Sequence, residues 1–182
     1  MNKRIVPLLL LLAGTLVCAR LWAQGPPPPA SLQSLANLTE GTWEVDTTFA
    51  NGERFHQRKN FISALNGHAL TTQTKGTVDM ETQEFGLRNE GMIVYRAADD
   101  TIVFMEADVF GGVTEGTVTI EGKDIYFDYP YQGGKFRDAW IWVNRDEYRY
   151  EIRAWQDGEY SQVYLAAPMI RLEATAFEAE YR

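Results

Sequence analysis

Residues 118–153 read VTIEGKDIYFDYPYQGGKFRDAWIWVNRDEYRYEIR, and the alternation in this stretch decides the fold. Runs rich in Val, Ile, Tyr, Phe and Trp are broken by turns at Gly122-Lys123 and Gly133-Gly134 and by a polar gap at 144–146. Residues directly opposite each other in a hairpin share a sheet face, so one turn carries the assignment to its neighbours. With Gly133-Gly134 as a two-residue loop, Tyr131 faces Phe136, Tyr129 faces Asp138, Phe127 faces Trp140 and Ile125 faces Trp142. The turn at Gly122-Lys123 sets Ile120 opposite Ile125 and Val118 opposite Phe127 on that same face. Tyr148, Tyr150 and Ile152 join it because Arg149, Glu151 and Arg153 belong in water, and Val163 and Leu165 complete one aromatic wall.

The same punctuation extends in both directions. Asn51-Gly52, Asn66-Gly67, Asp99-Asp100, Gly111-Gly112 and Asp157-Gly158 tolerate the positive φ angles of tight hairpins. About ten strands result, at 42–50, 53–64, 68–78, 87–97, 101–109, 113–121, 124–132, 135–143, 147–156 and 159–167. No helical stretch of crossover length separates them, which excludes a parallel sheet. Hairpin-linked strands leave two edges unless the sheet closes. An all-β, antiparallel up-and-down barrel is therefore expected, with a β-sandwich as the other solution. Arg149, Glu151, Arg153, Glu121, Asp124 and Asp128 crowd the outer face too densely for a lipid-facing barrel.

The flanks read differently. Lys3 and Arg4, an apolar run from Leu8 to Val17, and Leu21-Trp22-Ala23 before Gln24 read as a signal peptide over 1–23. The run is too short for a convincing membrane helix, though an uncleaved anchor is the competing reading, and acylation at Cys18 is disfavoured by Val17. Residues 24–30 form a Pro-rich spacer, 31–168 the barrel domain and 169–182 a C-terminal tail. Leu32, Leu35 and Leu38 lie at helical spacing and suit one or two helical turns, a short helical turn laid against the barrel mouth. Cleavage removes the single cysteine, so no disulfide or thiolate site is expected. Loss of Lys3, Arg4 and Arg20 from 17 basic residues leaves 14 against 25 acidic ones, a net charge of −11. Such a surface repels nucleic acid and anionic membranes. An exported periplasmic or extracellular protein follows, with no span in the mature chain, as a monomer or homodimer.

The inner wall has two readings. The interior of a small barrel is its core, and Phe127, Trp140 and Trp142 would suit that. Tyr129, Tyr131, Tyr148 and Tyr150 instead bring hydroxyls that want partners, with Asp138 among them, and convergent polar groups in an apolar setting describe a ligand cup. The N-terminal wall depends on one turn. A two-residue loop at Asn51-Gly52 puts Trp43, Val45, Thr47 and Phe49 on one face with Asn60, Arg58, His56 and Arg54, a cationic wall for a carboxylate or phosphate. A bulged three-residue loop turns Phe55, Gln57, Lys59 and Phe61 inward instead and leaves the arginines in solvent. Apolarity favours the second, turn statistics the first.

At Leu38-Thr39-Glu40-Gly41-Thr42-Trp43 the chain resembles the opening of a calycin domain, where a helical turn precedes Gly-x-Trp at the head of the first strand. The later pattern, in Arg88-Asn89-Glu90-Gly91, in the run Asp108 to Gly116 and in Asp138-Ala139-Trp140, is similar to secreted bacterial lipocalin-like barrels of uncharacterised function, over residues 32–167. The resemblance implies that Trp43 plugs the closed end of a barrel, and a binding role by analogy. There are departures. No disulfide is possible, no helix pair separates the first two strands as in intracellular fatty-acid carriers, and no histidine follows His68 as haem-binding ten-stranded barrels would require.

Binding of a small, partly apolar and potentially anionic molecule, without catalysis and without a cofactor or metal, is the expectation. Its wall is Trp43, Arg54, His56, Arg58, Phe127, Tyr129, Asp138, Trp140, Trp142, Tyr148 and Tyr150. Two alternatives stand beside it. One is an isomerase, cyclase or hydrolase using an inward His56 or an acid from Glu90, Glu106 and Asp108. The other is a solid-core envelope protein that presents outward aromatics such as Trp155, Tyr160, Tyr126, Ile141 and Val143 to a partner.

Overall fold

The computed structural model of the chain describes residues 27–178. The expected signal segment and its cleavage point lie outside them. A short helix α1 (Ala30–Gln33) and a 3-10 turn (Ala36–Glu40) lead into ten strands. These are β1 (Thr42–Thr48), β2 (Arg54–Ala64), β3 (Ala69–Thr77), β4 (Phe85–Arg96), β5 (Thr101–Asp108), β6 (Val113–Glu121), β7 (Asp124–Tyr131), β8 (Gly134–Asn144), β9 (Glu147–Gln156) and β10 (Glu159–Leu172). Each pairs antiparallel with its neighbour in sequence, and β1 pairs with β10, so the sheet closes as an up-and-down barrel. Closure satisfies both edges, as the hairpin count required.

β10 runs past the expected 167 because Met169 continues the inward alternation of Leu165 and Ala167, and Thr42 faces Leu172 across the seam. Residues 169–172, read from sequence as tail, are thus the strand that shuts the barrel. A 3-10 turn (Ala174–Phe177) follows and lies on the outside of β1 and β2. It is held by Thr42 Oγ1 and Arg58 donating to the carbonyls of Ala174 and Ala176.

Two turns set the registers. The β7–β8 turn is Gln132-Gly133, with φ of 49° and 80°, the double positive φ of a tight hairpin, rather than Gly133-Gly134. Pairing therefore slides by two residues: Ile125 faces Trp140, Phe127 faces Asp138 and Tyr129 faces Phe136. Side chains alternate with period two, so a slide of two keeps every residue on its face. The β1–β2 turn decides more. Thr48 faces Arg54 and Trp43 faces Lys59, while Phe49 N donates to Glu53 O at 2.8 Å around a three-residue loop 50–52. This register turns Phe55, Gln57, Lys59 and Phe61 inward.

The closed end is a dense core. Leu35, Leu38, Trp43, Ile93, Ile125, Trp140, Tyr148 and Met169 are all essentially excluded from water. Trp43 Nε1 donates to Leu38 O at 3.0 Å, fixing the helical turn over the plug. At Gly41 a Cβ would come within 2.5 Å of Leu172 O and 2.9 Å of Arg171 Cγ, which is why glycine precedes the plug where the chain crosses β10. Arg171 spreads over Trp43 with its guanidinium 5.8 Å from the ring and bonds Glu40 and Asp146, sealing this end.

Candidate functional site

The opposite end, bounded by the loops after β1, β3, β5, β7 and β9, is the mouth. Aromatic rings contact one another in series inward from it. Tyr164 stands at a bulge in β10, between Val163 paired to Arg153 and Leu165 paired to Ile152, and its ring meets Phe136 at 6.0 Å. The chain of ring contacts continues through Phe136–Tyr129, Tyr129–Phe104, Phe104–Phe127 and Phe127–Trp140 to the plug. Phe55 stacks on Tyr150 at 6.0 Å and 10° from the other side. Tyr131 and Tyr164 are about half exposed at the rim. Val163, expected on the inner wall, is turned out by the same bulge and is 49% exposed.

Between rim and plug lies a layer of polar side chains. Lys59 Nζ donates to Glu106 Oε1 at 2.5 Å, and Thr72 Oγ1 donates to the same oxygen at 2.9 Å. Both charged side chains are nearly enclosed, at 11% and 12% exposure. Gly91 stands opposite Glu106, and a Cβ there would lie 2.5 Å from Glu106 Cγ, so the missing side chain makes room for the acid. Burial works against the Glu106 carboxylate, but the Lys59 charge and the bonds from Lys59 and Thr72 outweigh it and hold Glu106 below the usual range. The Lys59 ammonium also lies 5.7 Å from the ring centres of Phe61 and Phe127.

Asp138 forms the second group. Tyr129 and Tyr150 donate to its two oxygens, each at 2.9 Å. Burial pushes the Asp138 carboxyl up, further than the two tyrosine bonds and the Lys59 charge pull it down, while Glu106 adds to the rise. Burial, then the Asp138 charge, raise the two phenols in turn. On β3, Thr74 is 3% exposed, shares the inward face with Lys59 and Asn89, and leaves its hydroxyl without a hydrogen-bond partner.

Eight of the eleven expected wall residues face inward, but not one space. Trp43, Trp140, Trp142 and Tyr148 pack against each other around the plug. Phe127, Tyr129, Asp138 and Tyr150 belong to the polar layer. Arg54, His56 and Arg58 are corrected to the outer face, because the three-residue turn shifts β2 by one. Arg54 is bidentate to Asp46. His56 Nε2 lies 3.0 Å from Glu44 Oε1 with its ring stacked 4.3 Å from Phe85, and Arg58 Nε donates to the same Glu44 oxygen at 2.7 Å. The cationic wall is therefore absent from the interior. Of the candidate acids, Glu90 is on the exterior with Gln73, and Asp108 accepts the Phe110 and Gly112 amides in its own loop. Glu106 alone reaches the interior layer. Thr72, Thr74 and Tyr164 were not foreseen; Glu106 follows Ile102 and Phe104 at period two, a signal that places it inward.

Two grooves mark the exterior. One of about 450 Å³ is lined on β4–β6 by Met92, Val94, Val103, Met105 and Glu115 among others. The other, about 380 Å³, lies at the closed end between Thr39, Phe61, Ile62 and Ala174. No helix among the described residues is long and apolar enough to cross a membrane. No protein-family model matches the chain, and no curated protein matches it.

Proposed function

We propose that this chain is an exported, lipocalin-like binding barrel that admits one small, partly apolar molecule through the aromatic mouth and holds it against the polar layer, without chemistry on it. The observation that supports this is the layer itself. Lys59, Glu106 and Asp138 are set among Phe104, Phe127 and Tyr150, where a purely structural core would place hydrocarbon. Buried ion pairs return little net stability relative to apolar residues of the same shape, so their presence asks for another reason. A ligand group that completes the hydrogen bonds of such a layer supplies one. With Arg54, His56 and Arg58 on the outside, an anion-selective cup has no support, and the polar end of the ligand meets one ammonium and two carboxyls instead.

The test is titration of intrinsic tryptophan fluorescence, and of an apolar environment-sensitive dye, with a panel of small aromatic and aliphatic molecules. Saturable binding that is weakened by Phe104→Ala and Tyr150→Phe supports the reading. A dye and panel that never saturate, with an interior shown by high-resolution crystallography to be filled to the mouth, overturn it and leave the solid-core envelope role.

A second reading is acid–base catalysis, favoured by the opposite displacements of Asp138 upward and Glu106 downward, the arrangement that separates an acid from a base. Turnover of a bound panel member that is lost in both Asp138→Asn and Glu106→Gln would establish it. Unchanged ligand recovered from the complex would dismiss it.

A further inference from the structure

We infer that the ligand of this barrel is a small ammonium compound, a primary or secondary amine on an aromatic or aliphatic body, received by Asp138. The inference rests on the binding reading above and names its ligand class. The polar layer holds two carboxyls, Glu106 and Asp138, against a single ammonium, Lys59, and that ammonium is committed to Glu106 at 2.5 Å. The carboxyl of this layer bonded to no cation is Asp138, whose bonds come from the hydroxyls of Tyr129 and Tyr150.

A second observation is independent of the acids. Thr74, inward and buried, has a hydroxyl with no partner, an acceptor oxygen for a ligand N–H. Rings of Tyr129, Tyr150, Phe104 and Phe127 surround the layer, and aromatic faces attract cations. Lys59 already sits between two of them, so the layer accommodates an ammonium. Over the whole chain 25 acidic residues outnumber 17 basic ones, which steers cations to the surface and repels anions. The groups facing Asp138 are Tyr129, Tyr150, Lys59 and Glu106, and a bound ammonium is a new positive neighbour that draws the proton off Asp138.

The experiment compares 2-phenylethylamine, 2-phenylethanol and 3-phenylpropionate, with the hexyl counterparts, by calorimetry in two buffers of different ionisation enthalpy. The amines are expected to bind at least about tenfold tighter than the alcohols, the carboxylates weakest. Amine binding should release protons at pH values above the ordinary aspartate range, where the raised Asp138 still holds its proton, while alcohol binding does not. Asp138→Asn should lower amine affinity to that of the alcohol; where that variant fails to fold, proton release by the unaltered protein decides. Equal affinity for amine and alcohol, preference for the carboxylate, or no proton release overturns the amine assignment while saturable alcohol binding keeps the barrel a binder. No saturable binding by any of them, nor by an apolar dye, overturns both.

Discussion

Lys59 and Glu106 meet inside the barrel at 2.5 Å although β3 and β4 lie between their strands in the wall. The contact reaches across two intervening strands, so it ties non-adjacent parts of the wall together and sets a charged floor beneath the mouth. Its two partners come from turns of quite different legibility. β5 follows a plain alternation, whereas β2 takes its face from the length of the single loop 50–52.

Removing one member of this pair strands a buried charge. Lys59→Met or Glu106→Leu alone is expected to cost about 3 kcal/mol in urea unfolding, and the double variant to recover most of it. A double variant no better than the sum of the singles would show that the pair does not act as a unit.

The two interior acids give stability opposite dependences on pH. Glu106 is held below its ordinary value, so its contribution is present above the normal glutamate range and is lost as pH falls through the lowered one. Asp138 is raised, so the folded chain keeps a proton the unfolded chain releases, and stability declines as pH climbs from the normal aspartate range to the raised one. Thermal midpoints across pH should flatten on the acid side in Glu106→Gln and on the higher side in Asp138→Asn. The reverse assignment would contradict the arrangement.

Gly41→Ala forces a methyl against Leu172 O and the Arg171 side chain at the seam. A loss of roughly 1–3 kcal/mol is expected, with ligand affinity at the far end unchanged. Stability equal to the parent would mean that the crossing of the chain over β10 is not this close.

Arg54→Ala breaks an exposed ion pair with Asp46 and should cost no more than about 1 kcal/mol, leaving binding untouched. Tyr164→Ala, by contrast, should weaken binding about threefold or more while shifting stability little, since the ring is 48% exposed at the rim. Titrating both variants with the same ligand separates rim from exterior; equal effects would remove Tyr164 from the mouth.

Much was legible before any coordinates. The alternation of Tyr148, Tyr150 and Ile152 with Arg149, Glu151 and Arg153 is an oil-and-water argument needing no partner strand. It placed Glu151 on the outer face, although there the carboxylate is covered by the two arginines that bridge it rather than set in water. The slide at Gln132-Gly133 changed pairs without changing faces, so the aromatic wall survived the wrong turn. The helical spacing of Leu32, Leu35 and Leu38 was legible, but the turn sits over Trp43 at the closed end and not at the mouth.

By itself the sequence determined an all-β meander and, away from the bulge at Val163–Leu165, which residues of each strand share a face, because period two and hairpin turns are local properties. Closure over a sandwich came with the pairing of β1 and β10. Tertiary structure decided which of the two faces of β2 looks inward. A strand carrying Phe55 and Phe61 on one side and Arg54, His56 and Arg58 on the other is settled only by what each side meets. Inside, Lys59 finds Glu106 from β5, while outside His56 and Arg58 find Glu44 and the chain after β10. Glu106 and the chain after β10 lie far away in sequence, and no local rule weighs contacts that do not exist until the barrel has closed.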